Sequence, residues 1–314
     1  MKFKFTKNSR ILYLVFCIPF FLTILVWIYL PVLAQWIINN VFGYEMIELA
    51  TNPFWLFMVR FFFAWYTFVA VGLAGVWVIA ATLARKEKAG SKCSFYPSVS
   101  LVVPAYNQEA NIARCITSLF KCAQKYDGPC EILIVDDGSE DYTYEASWSA
   151  IELNRRENPR THSKVIRHSV NLGKIECLRT GTNRALGRLV AIVDADSEWM
   201  PETLVTLVDF KLSNGKKAIT GFVGPLEEEG DRSLYSAFQK LEYGQGVVIG
   251  RCAQSLGNNV LVVSGAIGLY DSTLLREILT EKSIRSVTED LEITLEIHKK
   301  GKKWDMLVLL QASL

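Results

Sequence analysis

Two long apolar runs dominate the first part of the chain, and short β-branched runs alternating with helical periodicities fill the rest. Residues 11–30 (ILYLVFCIPFFLTILVWIYL) carry no charge, and neither do residues 61–84. A run of about 20 apolar residues at 1.5 Å rise matches a hydrocarbon core roughly 30 Å thick. Only a helix satisfies the backbone of a single segment in lipid. Two transmembrane helices are therefore predicted, at about 11–33 and 58–84. Lys2, Lys4, Lys7 and Arg10 precede the first run and Arg85, Lys86 and Lys88 follow the second, whereas the connecting loop offers Glu45 and Glu48. The bias of Lys and Arg toward cytoplasmic loops puts both ends inside, which predicts a multi-pass protein of the cell membrane whose larger part is cytoplasmic. The competing reading is a cleaved signal peptide ending near Val32-Leu33-Ala34, but the first run exceeds the ~7–15 residues usual for such an apolar region.

After a polar linker, Arg85–Tyr96, the pattern changes. Val99–Val103 reads as a buried strand that stops at Pro104, and Ile112, Cys115, Ile116, Leu119 and Phe120 then recur on one helical face. Strands Glu131–Val135 and Lys164–Arg167, a helix from Gly173 to Leu186 and strand Leu189–Val193 follow. Pro201 is expected to open a helix, where its missing N–H is harmless, and the apolar run Ala218–Val223 closes the series. Strands alternating with helices imply an α/β fold with a mostly parallel sheet covered on both faces. Ligands of such sheets sit at the carboxyl ends of strands. Those ends are acidic here: one strand runs into Asp136-Asp137-Gly138-Ser139, another into Asp194-Ala195-Asp196.

Composition narrows the chemistry. The net charge of the 314 residues is +2, made of a basic excess in residues 1–90 and a slight acidic excess in 91–314. An acidic soluble part is a poor grip for polyphosphate backbones, so no nucleic acid partner is expected. The seven cysteines show no C-x-x-C and an odd total, a pattern of reduced thiols rather than of a disulfide framework or zinc site. No G-x-G-x-x-G follows the first strand and no G-x-x-x-x-G-K-[ST] occurs, which removes the main support for dinucleotide oxidoreductases and P-loop enzymes. In extended backbone Asp194 and Asp196 fall on the same face and could share one divalent ion. The bland alternative is a pair of turn residues.

Taken together, Val103-Pro104-Ala105-Tyr106-Asn107-Gln108-Glu109, Val135-Asp136-Asp137-Gly138-Ser139, Asn171-Leu172-Gly173-Lys174, Asp194-Ala195-Asp196, Gln239-Lys240-Leu241-Glu242-Tyr243, Ser264-Gly265-Ala266-Ile267-Gly268 and Thr288-Glu289-Asp290 stand in one order. In that order the sequence resembles the family-2 glycosyltransferases of the GT-A fold. It is most similar to the membrane-embedded branch with cellulose, chitin, hyaluronan and poly-N-acetylglucosamine synthases. The resemblance implies a Rossmann-like GT-A domain over 91–314, with an incomplete C-terminus as one reading, after a membrane domain over 1–90. It implies an inverting transfer of a sugar from a UDP-sugar, such as UDP-GlcNAc or UDP-glucose, to a saccharide acceptor in polysaccharide biosynthesis. Donor-binding residues are then Pro104, Ala105, Tyr106, Glu109, Asp136, Asp137, Lys174 and Asp194, with Mg²⁺ or Mn²⁺ on Asp194 and Asp196. Carboxylates at 136 and 137 can accept from uracil N–H or ribose hydroxyls, although Asp137 also reads as a turn residue before Gly138. Lys174 at a helix start is misplaced for the dipole unless an anion sits there. Asp290 is the implied general base, and Gly265, Gln239, Glu242, Tyr243 and Glu289 lie on the acceptor side. Thr288 is expected to cap a helix carrying Asp290, against the strand-like alternation of Leu291, Ile293, Leu295 and Ile297.

Processive members carry Gln-x-x-Arg-Trp and further membrane helices after the catalytic Asp. Here Gln311 is followed by Ala312, Ser313 and Leu314. On this reading processive export is in doubt. Single-sugar transfer to a lipid carrier is the runner-up, and a non-catalytic membrane subunit needing a partner chain is the alternative of a different class.

Overall fold

A computed structural model describes residues 92–221, 223–224, 262–281 and 288–300, together with residues 29, 238–239, 242, 251, 254 and 260 and a set of helical positions between 53 and 79. The chain divides into two units, 1–82 and 83–314. In the first, Phe61 stacks on Phe57 and on Trp65, with ring centroids 6.1 and 6.4 Å apart. This i, i+4 ladder is exposed. Among the described residues no helix is long and apolar enough to cross a membrane. The predicted span at 11–33 falls, apart from Tyr29, outside the described residues, as do parts of the span at 58–84.

The second unit is a mixed α/β structure. Its elements run β1 (Val99–Ala105), α1 (Ile112–Lys125), β2 (Cys130–Asp136), α2 (Thr143–Arg155), β3 (His162–Arg167), α3 (Lys174–Arg184), β4 (Leu189–Ile192), α4 (Thr203–Ser213), β5 (Ala218–Thr220), β6 (Gly268–Asp271), α5 (Ser272–Glu281) and α6 (Glu289–Lys299). Among the described residues six strands form one sheet, ordered β3-β2-β1-β4-β6-β5. Neighbours are parallel from β3 to β4, whereas β6 runs antiparallel to both β4 and β5. One face (Leu101, Val103, Ile132, Ile134, Ala191) packs on Ile116, Leu119 and Phe120 of α1, Ile151 of α2 and Leu207 of α4. The other (Val102, Leu133, Val190, Ile192) packs on Leu178 of α3, Leu275 and Ile278 of α5 and Ile293 of α6. Strands buried on both faces have no polar side to alternate, which is why they read as continuous apolar runs. α3 comes close to the sheet at Gly181, where a Cβ would lie 2.4 Å from Val102 Cγ1.

Three local expectations are corrected. β1 does not stop at Pro104 but continues to Ala105, with Pro104 in register with Val135. Alternate residues of a parallel strand face alternate neighbours. Val102 C=O accepts from Val193 N–H while Ala105 C=O accepts from Asp137 N–H, so Pro104 faces the β4 side. β4 has ended there, and the missing N–H costs no ladder bond. Pro201 does not open α4; it lies in a turn closed by Thr203 N–H on Met200 C=O, and the helix starts at Thr203. The 289–299 segment is a helix despite its two-residue alternation, but Thr288 occupies the N-cap position without a side-chain capping bond.

Candidate active site

The strand order changes direction between β1 and β4, the place where parallel sheets open a crevice at their carboxyl ends. A cavity of about 370 Å³ lies there. Its walls are Pro104, Ala105 and Tyr106 from the end of β1, Asp137 from the end of β2, Gly173, Lys174 and Cys177 from the start of α3, and Asp194 and Asp196 beyond β4. A larger cavity of about 520 Å³ sits at the opposite, amino-terminal edge near Val99, Cys130 and Gly187. Among the described residues lining it, the one carboxylate, Glu131, is already engaged by the Ser100 hydroxyl and by Leu186 N–H.

Asp194 and Asp196 do not lie in extended backbone as expected. They lie within a turn just past β4, Asp194 opening it and Asp196 inside it, closed by Ser197 N–H on Asp194 C=O at 3.0 Å. Both carboxylates still line the cavity. Lys174, the first residue of α3, places its ammonium 2.8 Å from Asp194 Oδ1 and 2.5 Å from Glu289 Oε1. Burial pulls the Lys174 pKa down, but the Asp194 and Glu289 carboxylates outweigh it and hold the ammonium above its usual range. The anions answering the misplaced cation are thus the protein's own.

Asp137 is nearly completely buried. Its Oδ1 accepts from Leu172 N–H at 3.0 Å and stands 2.8 Å from His168 Nδ1, while Oδ2 accepts from Gly173 N–H at 2.7 Å. Burial pushes its pKa up, yet these hydrogen bonds, with a further one from Cys177, bring it below the usual carboxylate value. Cys177 moves the other way, raised by burial and by Asp137. The Asp137 carboxylate therefore fastens the loop that delivers Lys174, besides lining the cavity.

Two expected donor residues are not in the described lining. Asp136 is fully buried, accepts from Ser139 N–H and Oγ, and lies 3.1 Å from Arg167 Nε. It shapes the turn instead of facing the cavity. Glu109 is exposed and accepts from Tyr142 N–H at 3.4 Å. The Gly265 loop does arrive: a Cβ there would stand 3.4 Å from Lys174 Nζ and 3.5 Å from Asp194 Oδ1. Trp199 Nε1–H holds this loop by donating to Ala266 C=O at 3.0 Å. Val263 N–H donates to Thr294 Oγ1, whose own hydrogen goes to Asp290 C=O, tying the loop to α6. Asp290 stands in the first turn of α6 beside Glu289 but is not in the cavity's described lining. Gln239 and Glu242 are helical and also outside that lining, and Tyr243 lies outside the described residues. Sequence reasoning missed Trp199, and read Cys177 only as one of seven reduced thiols; neither carries a motif.

A hard divalent cation fits this donor set. Two carboxylates line the same open space, and Gly265 places no side chain against Asp194 Oδ1, which a cation would share with the Lys174 ammonium.

Residues 100–279 match the family model described as Glycosyl transferase family 2. An undecaprenyl-phosphate 4-deoxy-4-formamido-L-arabinose transferase from Pectobacterium atrosepticum is 31% identical over 113 residues, 36% of this chain and 33% of that protein. An N-acetylglucosaminyltransferase from Azorhizobium caulinodans is 28% identical over 216 residues, 65% of this chain and 51% of that protein. The matches thus span a third to a half of the length of these curated relatives. Among solved structures, the mannosyltransferase PcManGT from Pyrobaculum calidifontis, in complex with GDP-Man and Mn²⁺, superposes with a TM-score of 0.54 at 19% identity. That likeness, over 76% of this chain and 64% of the other, is one of fold.

Proposed function

The chain belongs to glycosyl transferase family 2, and from that premise we propose that it is an inverting glycosyltransferase taking its sugar from a UDP-sugar such as UDP-GlcNAc or UDP-glucose. The observation that carries this reading is the meeting of Tyr106, Asp137, Lys174, Asp194 and Asp196 in one cavity, with Gly265 against its far side. Tyr106 offers an exposed ring to a nucleobase. Lys174 is a point charge suited to a diphosphate, and it must exchange part of its Asp194–Glu289 pairing for the donor. Asp194 and Asp196 are the residues to hold Mg²⁺ or Mn²⁺, which when bound offsets charge on the departing nucleoside diphosphate. Asp290 is the general base for the acceptor hydroxyl, carried on the helix that Thr294 ties to the Gly265 loop.

The acceptor is a saccharide in this reading, as in polysaccharide synthesis. A lipid-linked acceptor is the second reading, favoured by the lipid-phosphate transferase among the relatives. The two charge-free runs and their basic flanks support a multi-pass membrane protein working on the cytoplasmic side. So does the exposed ladder of Phe57, Phe61 and Trp65, since each large apolar side chain left in water forgoes about 1.5–3 kcal/mol.

The test is sugar transfer from a panel of nucleotide sugars with Mn²⁺, in wild type and Asp290→Asn. Transfer should fall by roughly 10²–10⁴ in the variant while donor binding persists. Equal rates in the two proteins, or no donor preference for uridine, would defeat the reading.

A further inference from the structure

Asp137 at the end of β2, His168 after β3 and Cys177 in α3 each bring one ligand atom within 4.8 Å of the others. His168 Nδ1 is the common neighbour, 2.8 Å from Asp137 Oδ1 and 3.8 Å from Cys177 Sγ. Tetrahedral zinc with bonds of about 2.0–2.3 Å separates its ligands by roughly 3.3–3.6 Å. Opening the first contact by about half an ångström and closing the second by a few tenths reaches that geometry.

Two further observations favour an ion there. His168 Nε2 stands 3.0 Å from Thr180 Oγ1, and a metal-bound imidazole characteristically donates its other ring N–H to such an oxygen. Asp137 and Cys177 also line the cavity, which gives an entry path and leaves water as a fourth ligand. The ligand softness differs between the two sites: thiolate and imidazole select zinc or cobalt, whereas the all-oxygen Asp194–Asp196 pair suits magnesium or manganese.

We propose that Asp137, His168 and Cys177 form a zinc site in the wall of the cavity, distinct from the Asp194–Asp196 pair, and that its occupation shuts the cavity down. Binding expels the Cys177 thiol proton into cavity water, and the neutral His168 imidazole binds through Nδ1 with its single ring proton on Nε2, directed at Thr180. Asp137 then shifts toward the ion and away from Leu172 and Gly173 N–H, now 3.0 and 2.7 Å distant. The loop that delivers Lys174 loses its anchor.

Cobalt binding reads this site whether or not sugar transfer is detected. The full-length chain in detergent, with Mg²⁺ in excess, is titrated with Co²⁺ as a spectroscopic stand-in for Zn²⁺. A thiolate-to-cobalt charge-transfer band should appear, be displaced by Zn²⁺, vanish in Cys177→Ser and persist in D194N/D196N. Thr180→Val should weaken cobalt binding by about 10–100-fold. No band, or one that survives Cys177→Ser, overturns the site. In transfer assays with Mn²⁺, Zn²⁺ should suppress the wild type and leave Cys177→Ser near its own zinc-free rate. A cobalt band without zinc inhibition overturns the regulatory half.

Discussion

Replacing Trp199 by Phe should lower stability and, if the Gly265 loop serves the acceptor as proposed, disturb acceptor use more than donor binding. Trp199 is 3% exposed and its indole N–H donates to Ala266 C=O at 3.0 Å, where Ala266 is itself 7% exposed. Phe fills most of the space but leaves that carbonyl unpaired, at a cost of about 1–3 kcal/mol. The lost pyrrole edge, roughly 40 Å² of apolar area, adds about 1 kcal/mol. The sum, about 3 kcal/mol, corresponds to a fall in Tm of roughly 6–12 °C for a unit of this size. The Trp199 backbone bond to Ser118 Oγ is untouched, so the damage should stay with the Gly265–Ala266 loop. Thermal unfolding, donor-binding calorimetry and acceptor titration of the two proteins measure the three quantities. The argument fails if Tm moves by less than about 1 °C, or if donor affinity drops as much as acceptor KM rises.

Other substitutions probe other parts. Lys174→Met removes a charge-assisted contact worth about 1.5–3 kcal/mol, so donor affinity should fall by roughly 10–100-fold, read by calorimetry. Lys211 is 2% exposed and donates to Lys216 C=O and Asp271 Oδ1. Its replacement by Ala should cost about 2–4 kcal/mol in denaturant unfolding, because a buried pair is broken from one side. Asp141 accepts from Thr143 N–H and Oγ1 and from Glu109 N–H. Burial raises its pKa, but those bonds win and set it below the ordinary 3.8. Its contribution is therefore present above that value and lost as pH falls through the lowered one. Asp141→Ala should cost about 0.5–1 kcal/mol at neutral pH, a gap that closes on acidification; a pH-independent gap would count against the carboxylate.

Much of the fold was legible because parallel strands buried on both faces announce themselves as apolar runs, each ending in the residues that line the cavity. α2 was not legible: its buried residues, Thr143, Ser147, Ala150 and Ile151, are mostly small or polar and make no apolar stripe. Nor was the burial of Lys211, since a lysine on a helix normally reads as solvated. The acidic motifs were legible as chemistry but not as geometry. Asp136 and Asp137 are adjacent, and only the pleat decides that one is turned into the protein and the other toward the cavity. The link from Lys174 to Glu289 joins positions more than a hundred residues apart, which no local spacing encodes.

The single reversed strand has a consequence for how such a site can diversify. Because β6 pairs antiparallel with β4, its first residue, Gly268, lies opposite Ile192, the last residue of β4. The segment entering β6 is thereby delivered to the rim where the other strands finish. A parallel β6 would have brought that segment to the opposite rim, about 10 Å away over a strand of this length. One rim is therefore furnished by two stretches of sequence that fold independently of each other's length. Insertions before β6 can therefore remodel one wall of the cavity while the ends of β1, β2 and β4 keep theirs.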